Sequence, residues 1–313
     1  MTLDITLVET FLTSHYGDGI GAVAPIGKGE WSQAFAFDRQ GRSYVVRFGA
    51  HMDDFERDLF AARFSSPALP VPQVVDLGEA FGGYYAVSER MPGSYIDQSD
   101  EAQMRALLPA LFAALDAMRL ADLSPTAGFG GLDGAGNAPC ASWQEVLLGV
   151  ADDSPGDRIG GWRAKLAASP VGSAPFDRAY DRLQALSADL PNERHLIHND
   201  LLHFNVLVEG DRITGVLDWG CAMAGDFLYD LAWFCFWQPW YRAWRSIDFA
   251  AAARRHYAAI GLHVPGFDRR LLCYQLHIGL AGMAYQAFAG HQNDLVETAQ
   301  RIADVSRDLS ETG

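Results

Sequence analysis

Positive charge is scarce in this sequence. Against 39 Asp and Glu stand 24 Lys and Arg, a formal net charge of -15 over 313 residues. A field of that sign repels phosphate backbones and anionic lipid, which argues against nucleic acid or a membrane surface as partner and would welcome a cationic small molecule. Cysteine is also sparse. Cys140, Cys221, Cys235 and Cys273 form no C-x-x-C and no Cys/His cluster of zinc spacing, so neither a disulfide framework nor a zinc module is expected, and a reduced, cytoplasmic chain is. Long apolar runs are missing too. The densest, Leu231 to Trp237, is far too short to span a bilayer, and the opening MTLDITLVETF carries acids where a secretion signal needs bases. There is no internal repeat, low-complexity tract or G-x-y period, which excludes a fibrous chain. What remains, 49% hydrophobic and 20% charged residues, is ordinary globular composition with enough length for two domains or one large one.

The patterning changes once along the chain. Asp4 to His15 places Leu7, Val8, Phe11 and Leu12 on one helical face, ended by Gly17-Asp18-Gly19. Val23 to Phe37 and Arg42 to Phe48 read as strands about a hairpin turn at Asp38 to Gly41, followed by a helix over Met52 to Phe64 and strands at Val74 to Leu77 and Tyr84 to Ser88. After the hinge-like Met91-Pro92-Gly93 the chain turns helical. Met104, Leu107, Leu108, Leu111, Leu115 and Met118 keep helical spacing, Thr126 to Pro139 reads as a loop, and Asp177 to Leu190, Ile247 to Ile260 and Leu271 to Phe288 read as further helices. One strand pair interrupts them, Asn205 to Val208 and Ile213 to Leu217. The expected organisation is α+β: a small antiparallel sheet lobe over residues 1–91 and a larger helical lobe over 92–313.

Chemistry concentrates between His195 and Asp230. His198-x-Asp200-x4-Asn205 is followed by a hairpin and then Asp218-Trp219-Gly220. Phosphoryl transfer needs a carboxylate to take the acceptor's proton, and an amide oxygen with a second carboxylate to hold Mg²⁺ against a triphosphate. H-x-D-x4-N followed by D-x-G is the arrangement protein kinases use for those tasks. Singly, each residue reads as a cap, a turn former or a core histidine; together, in this order, they read as a two-lobed, protein-kinase-like site. Asp200 is then the catalytic base, Asn205 and Asp218 hold the metal, and His198 is structural.

The sheet lobe should grip ATP. Gly27 and Gly29, with Ser32, sit between two strands where backbone N–H groups can approach phosphate, although a plain hairpin turn has the same composition. Arg47 is the one cation in the core of the third strand, where kinases usually carry lysine; a guanidinium also serves phosphate. Lys28 competes for that role, and either Glu56 or Asp58 is available to pair with Arg47. By position, Val87 to Met91, with Glu89 and Met91, would meet adenine. After the Gly225-Asp226 turn, Trp237, Trp240 and Tyr241 offer indole and phenol faces to a sugar or ammonium group, while Trp233, Phe234 and Phe236 suit a core helix. His203 and Phe204 are further acceptor contacts. Asp226 is expected to brace the catalytic loop and Asp230 to be structural.

The whole chain resembles the aminoglycoside phosphotransferase family, and within it the hygromycin B 4-O-kinases. The resemblance is carried by His198/Asp200/Asn205, Asp218-Trp219-Gly220, Gly225-Asp226-Phe227-Leu228-Tyr229-Asp230, GRSYVVRF with Arg47, ALPVPQVVDLGE at Ala68 to Glu79, ADLSPTAGFG at Ala121 to Gly130 and WFCFWQPW at Trp233 to Trp240. It departs at Gln238, where a basic residue is expected, and at Gly220, where serine is. The resemblance implies ATP- and Mg²⁺-dependent phosphorylation of an aminocyclitol hydroxyl, as in antibiotic resistance; the sequence leaves the oligomeric state open, with a monomer favoured. Competing readings are a kinase of choline, a macrolide or a metabolite sugar, and a non-catalytic kinase-like binding module. The retention of Asp200, Asn205 and Asp218 speaks against the last.

Overall fold

The computed structural model describes residues 3–29 and 31–307; Glu30, in the glycine-rich turn, lies outside them. The first part is a five-stranded antiparallel sheet: β1 (Ala24–Lys28), β2 (Ser32–Arg39), β3 (Arg42–Gly49), β4 (Val74–Ala80) and β5 (Gly83–Glu89), in the order β1-β2-β3-β5-β4. Aromatic and β-branched residues supply one face. Phe35, Phe37, Val46, Phe48, Tyr85 and Val87 form a core with Val8 and Leu12 of α1 (Ile5–Tyr16). Asp4 caps α1 by accepting the Leu7 N–H at 2.9 Å. Gln40 and Gly41 both take positive φ, 52° and 76°, the mirror-image turn that matches strand twist in a tight hairpin. On the opposite face Arg47 pairs in register with Ala34 and Ala86, small neighbours that leave room for a ligand. The helix α2 (Met52–Ala61) follows β3, and its Phe60 and Ala61 join the larger core beyond the sheet.

Past Met91 to Gly93 the chain is mainly helical. In order come β6 (Ser94–Tyr95), α3 (Glu101–Arg119), β7 (Gly130–Gly131), α4 (Trp143–Leu148), α5 (Trp162–Ala168), α6 (Ala174–Ser187), β8 (His195–Ile197), β9 (Val206–Glu209), β10 (Arg212–Val216) and β11 (Met223–Gly225). The helices α7 (Leu228–Trp237), α8 (Phe249–Ala259), α9 (Phe267–Ala289) and α10 (Gln292–Arg307) complete it. Apolar and small residues line α9 nearly all round, and it is accordingly enclosed by α5, α6, α7 and α10. The β9–β10 hairpin is the strand pair that the sequence predicts. Its partner β6 was not expected, nor was the small sheet β7-β11-β8. These strands are two or three residues long, too short for alternation to register. The fold is a kinase-like one, with an antiparallel sheet first and a helical part after it.

Candidate active site

The hairpin brings the metal-binding candidates together. The Leu217 N–H donates to the Asn205 carbonyl at 2.8 Å, so Asn205 and Asp218 stand at neighbouring ends of β9 and β10. Asp218 is left-handed, at φ 58°, a conformation that costs strain outside glycine and concentrates at functional positions. Behind it the Trp219 N–H donates to Asp58 Oδ1 at 2.8 Å. The other Asp58 oxygen makes an ion pair with Arg47, and a second Arg47 nitrogen lies 3.2 Å from Asp218 Oδ1. Of the two carboxylates open to Arg47, Asp58 is therefore the partner; Glu56 packs beside Gly134 instead, against the space a Cβ there would fill.

The loop from His198 to Asn205 is held from several directions. The His198 and Asn199 N–H groups each donate to one oxygen of Asp230 at 2.9 Å. The buried His198 ring donates from Nε2 to the Leu217 carbonyl at 2.8 Å and accepts the Asp200 N–H at Nδ1, 3.2 Å. Those two partners fix a neutral tautomer with the proton on Nε2. At Asp200, Oδ1 accepts from His203 Nδ1 at 2.9 Å and Oδ2 from Asn205 Nδ2 at 3.0 Å. The same Nδ2 donates to the Asp200 carbonyl at 2.8 Å. The Asn205 nitrogen is thus spent inside the loop, and its Oδ1 remains as a hard oxygen ligand. Burial disfavours a charged His203, but the hydrogen bond and charge of Asp200, with the charge of Asp97, outweigh it and raise the imidazole pKa.

A cavity of about 600 Å³ separates the sheet from this loop, a size suited to a nucleotide. Gly27, Gly29, Ser32, Arg47, Glu89 and Met91 line it from one side and His203, Asn205 and Asp218 from the other, so every nucleotide-side residue expected from sequence meets there; Lys28 lines it too. Of the hinge amides, Glu89 donates to the Gln73 carbonyl at 3.1 Å and Arg90 to that of Ser43 at 3.0 Å, so neither N–H faces a ligand. Among the described residues no group of three or more His, Cys, Asp or Glu could hold a metal ion. Mg²⁺ does not need one, since it takes one or two protein oxygens and completes its shell with phosphate and water. The Asn205 oxygen and the half-exposed Asp218 carboxylate, both facing the cavity, fit that demand.

One expectation changes. Asp226 does not brace the catalytic loop. Fully buried, it takes a two-pronged ion pair from Arg270, at 2.8 and 2.6 Å, together with the Tyr274 hydroxyl, and Asp230 does the bracing. Trp237 and Trp240 lie outside the main cavity. Trp237 packs its ring 5.4 Å from that of His203, whereas Trp240 donates its indole N–H to Glu297 at 2.8 Å. Gln238 faces inward, donating to the carbonyls of Trp244 at 2.8 Å and Ile247 at 2.5 Å, so the neutral residue there closes the turn after α7.

Sequence reasoning missed several residues. Asp97 accepts the His203 and Phe204 N–H groups and the Tyr241 hydroxyl. Arg57 on α2 donates to the carbonyls of Leu132 and, at 2.7 Å, Gly220, and Arg158 forks over Asp53 and Asp54 at 2.9–3.1 Å. No motif marks them, because each partner is distant in sequence.

Comparison with known proteins identifies the family. The sequence pattern of the phosphotransferase enzyme family matches residues 22–272. The hygromycin-B 4-O-kinase of Escherichia coli is 34% identical over 304 residues, 96% of this chain and 85% of that protein. A thermostable aminoglycoside phosphotransferase APH(4)-Ia, solved as a ternary complex with AMP-PNP and hygromycin B, superposes with a TM-score of 0.84 at 32% identity, over 96% of this chain and 98% of its own. The fold extends to aminoglycoside 2'-phosphotransferase-IIIa, at a TM-score of 0.65, 15% identity and coverage of 98% and 99%. The chain belongs to the phosphotransferase enzyme family, as an ATP-using kinase that phosphorylates a hydroxyl group.

Proposed function

We propose that this kinase transfers the γ-phosphoryl group of ATP to a hydroxyl of hygromycin B, or of a closely related cationic aminocyclitol, and so inactivates the antibiotic. The observation that carries this reading is the Asn205 amide. Its nitrogen ties the Asp200 carboxylate in place while its oxygen stays available to a metal, so one side chain joins the acid–base group to the phosphate site. Similarity to a hygromycin-B kinase and the -15 net charge support a polycationic acceptor.

When bound, Mg²⁺ and ATP supply the transferable phosphoryl group and the charge that offsets it. Asp200 orients the acceptor hydroxyl and takes its proton on a carboxylate oxygen. Asn205 and Asp218 would hold the metal. Arg47, kept in line by Asp58, would face the phosphates, and the backbone at Gly27 and Gly29 would cover them. Met91, with the N–H groups of Glu89 and Arg90 already taken, would offer its own amide to adenine. Residues 1–91 then grip the nucleotide and 92–313 carry the catalytic loop and the acceptor side, where His203 and Trp237 contribute the wall. Trp240, tied to Glu297, lies at its rim. The enzyme works in the cytoplasm, where ATP is supplied and its four unpaired cysteines stay reduced.

A coupled ADP-release assay with Mg²⁺ tests the reading. ADP release well above background is expected with hygromycin B, and little with choline or a neutral macrolide. Choline or the macrolide as the best acceptor would overturn the substrate while leaving the kinase in place.

A further inference from the structure

His203 and Phe204 are both left-handed, at φ 60° and 71°, a conformation that side chains other than glycine resist. What holds them lies outside the catalytic loop. The Asp97 carboxylate, between β6 and α3, accepts the His203 N–H at Oδ1, 2.9 Å, and the Phe204 N–H at Oδ2, 3.0 Å. Tyr241 fixes Asp97 in turn, donating its hydroxyl to Oδ1 at 2.7 Å. The Tyr241 ring stacks at 4.3 Å on Trp244, whose Nε1 donates to the Ser99 carbonyl at 2.9 Å. Three donors converge on two oxygens, so the Asp97 carboxylate is committed to the loop. The backbone turn it stabilises swings the His203 imidazole onto Asp200, Nδ1 to Oδ1 at 2.9 Å. With Asn205 on the other oxygen, the Asp200 carboxylate is fixed in one orientation.

We propose that Asp97 is a positioning residue for phosphoryl transfer: it locks the left-handed pair His203–Phe204 so that the His203 imidazole aims the Asp200 carboxylate at the acceptor hydroxyl. This rests on the reading of Asp200 as the proton acceptor. Asp97 acts through backbone and imidazole and does not line the nucleotide cavity, so its loss should appear in kcat.

The test is a double-mutant cycle with hygromycin B and Mg²⁺·ATP at saturation. Asp97→Ala should lower kcat by roughly 10-fold to 100-fold, the scale on which a displaced catalytic group costs rate, with the KM for ATP nearly unchanged. In a His203→Ala background the same substitution should cost little, because its effect passes through that imidazole. Adding Phe204→Gly to Asp97→Ala should restore part of kcat, since glycine holds the left-handed turn without the carboxylate. The proposal is overturned if Asp97→Ala keeps kcat, if its effect and that of His203→Ala simply multiply, or if the loss lies wholly in the KM for hygromycin B. Should Asp97→Ala not fold, Tyr241→Phe removes one hydrogen bond and should give a smaller fall in kcat of the same kind; an unchanged kcat there also overturns it. Asp200→Asn, measured alongside, separates the two readings: near wild-type turnover in that variant sinks the proton-acceptor assignment whatever Asp97 does.

Discussion

On the nucleotide side, Arg47 finds its partner Asp58 on the very next helix, and Asn205 and Asp218 are set by one hairpin. On the acceptor side, His203 is held by Asp97, 106 residues earlier in the chain, and packs on Trp237 from a helix that follows the metal turn. The first arrangement is local and repeats a chemistry common to all kinases, because a triphosphate with Mg²⁺ makes the same demands everywhere. The second is assembled from distant segments. In the proposed reading, phosphate handling is concentrated in a few charged groups, whereas acceptor recognition is spread over rings and backbone turns.

The largest effect that would sharpen this contrast is at the metal. Asp218→Ala should abolish transfer at any practical Mg²⁺ concentration, and nucleotide affinity, titrated with and without Mg²⁺, should lose its metal dependence. Asp200→Asn comes next, with kcat lowered by roughly 10²-fold to 10⁴-fold, the scale of general-base catalysis, and nucleotide affinity kept. A smaller, paired test sets the two sides against each other. Arg47→Ala should raise the KM for ATP by roughly tenfold or more, as for loss of a charged hydrogen bond, and leave that for hygromycin B alone. Trp237→Ala should do the reverse, and Arg47→Lys should retain partial activity. If Lys28→Ala gives the ATP defect and Arg47→Ala does not, the phosphate contact belongs to the glycine-rich turn.

A separate effect, on stability rather than turnover, concerns the helical core. His277 is buried on α9 against the Tyr229 hydroxyl at 2.7 Å, and burial lowers its pKa to about 4. The unfolded chain binds that proton near its ordinary value, so between those two values the unfolded state carries more protons. Stability should therefore hold above about pH 6.5 and fall as pH drops toward 4, by up to about 3 kcal/mol. Urea melts at pH 7 and pH 5 should show the drop, and His277→Gln should flatten it.

How much of this was legible in the sequence follows from the same contrast. The five strands of the sheet, the long helices α3, α8 and α9, and the β9–β10 hairpin all carry periodicity or turn residues in a single stretch of chain. The candidates Asp200, Asn205 and Asp218 were legible because their spacing is fixed by one loop and one hairpin. The choice of Asp58 over Glu56 was not: they lie two residues apart on α2, and only the packing of Trp219 and Arg47 on one side of that helix selects between them. Asp226 and Asp230 lie one helical turn apart in a shared motif, yet the first meets Arg270 in the core and the second the loop, a difference set by where α9 runs. Asp97 had no local signature, since its three donors come from residues 203 to 241.

The most direct test of the account is the product itself. Purified enzyme, ATP and Mg²⁺ are incubated with hygromycin B and the antibiotic is weighed by mass spectrometry. One added phosphoryl group, matched by one ADP and absent with Asp200→Asn, is the predicted result. Unmodified hygromycin B with no ADP formed, from enzyme that still binds Mg²⁺·ATP, would contradict it.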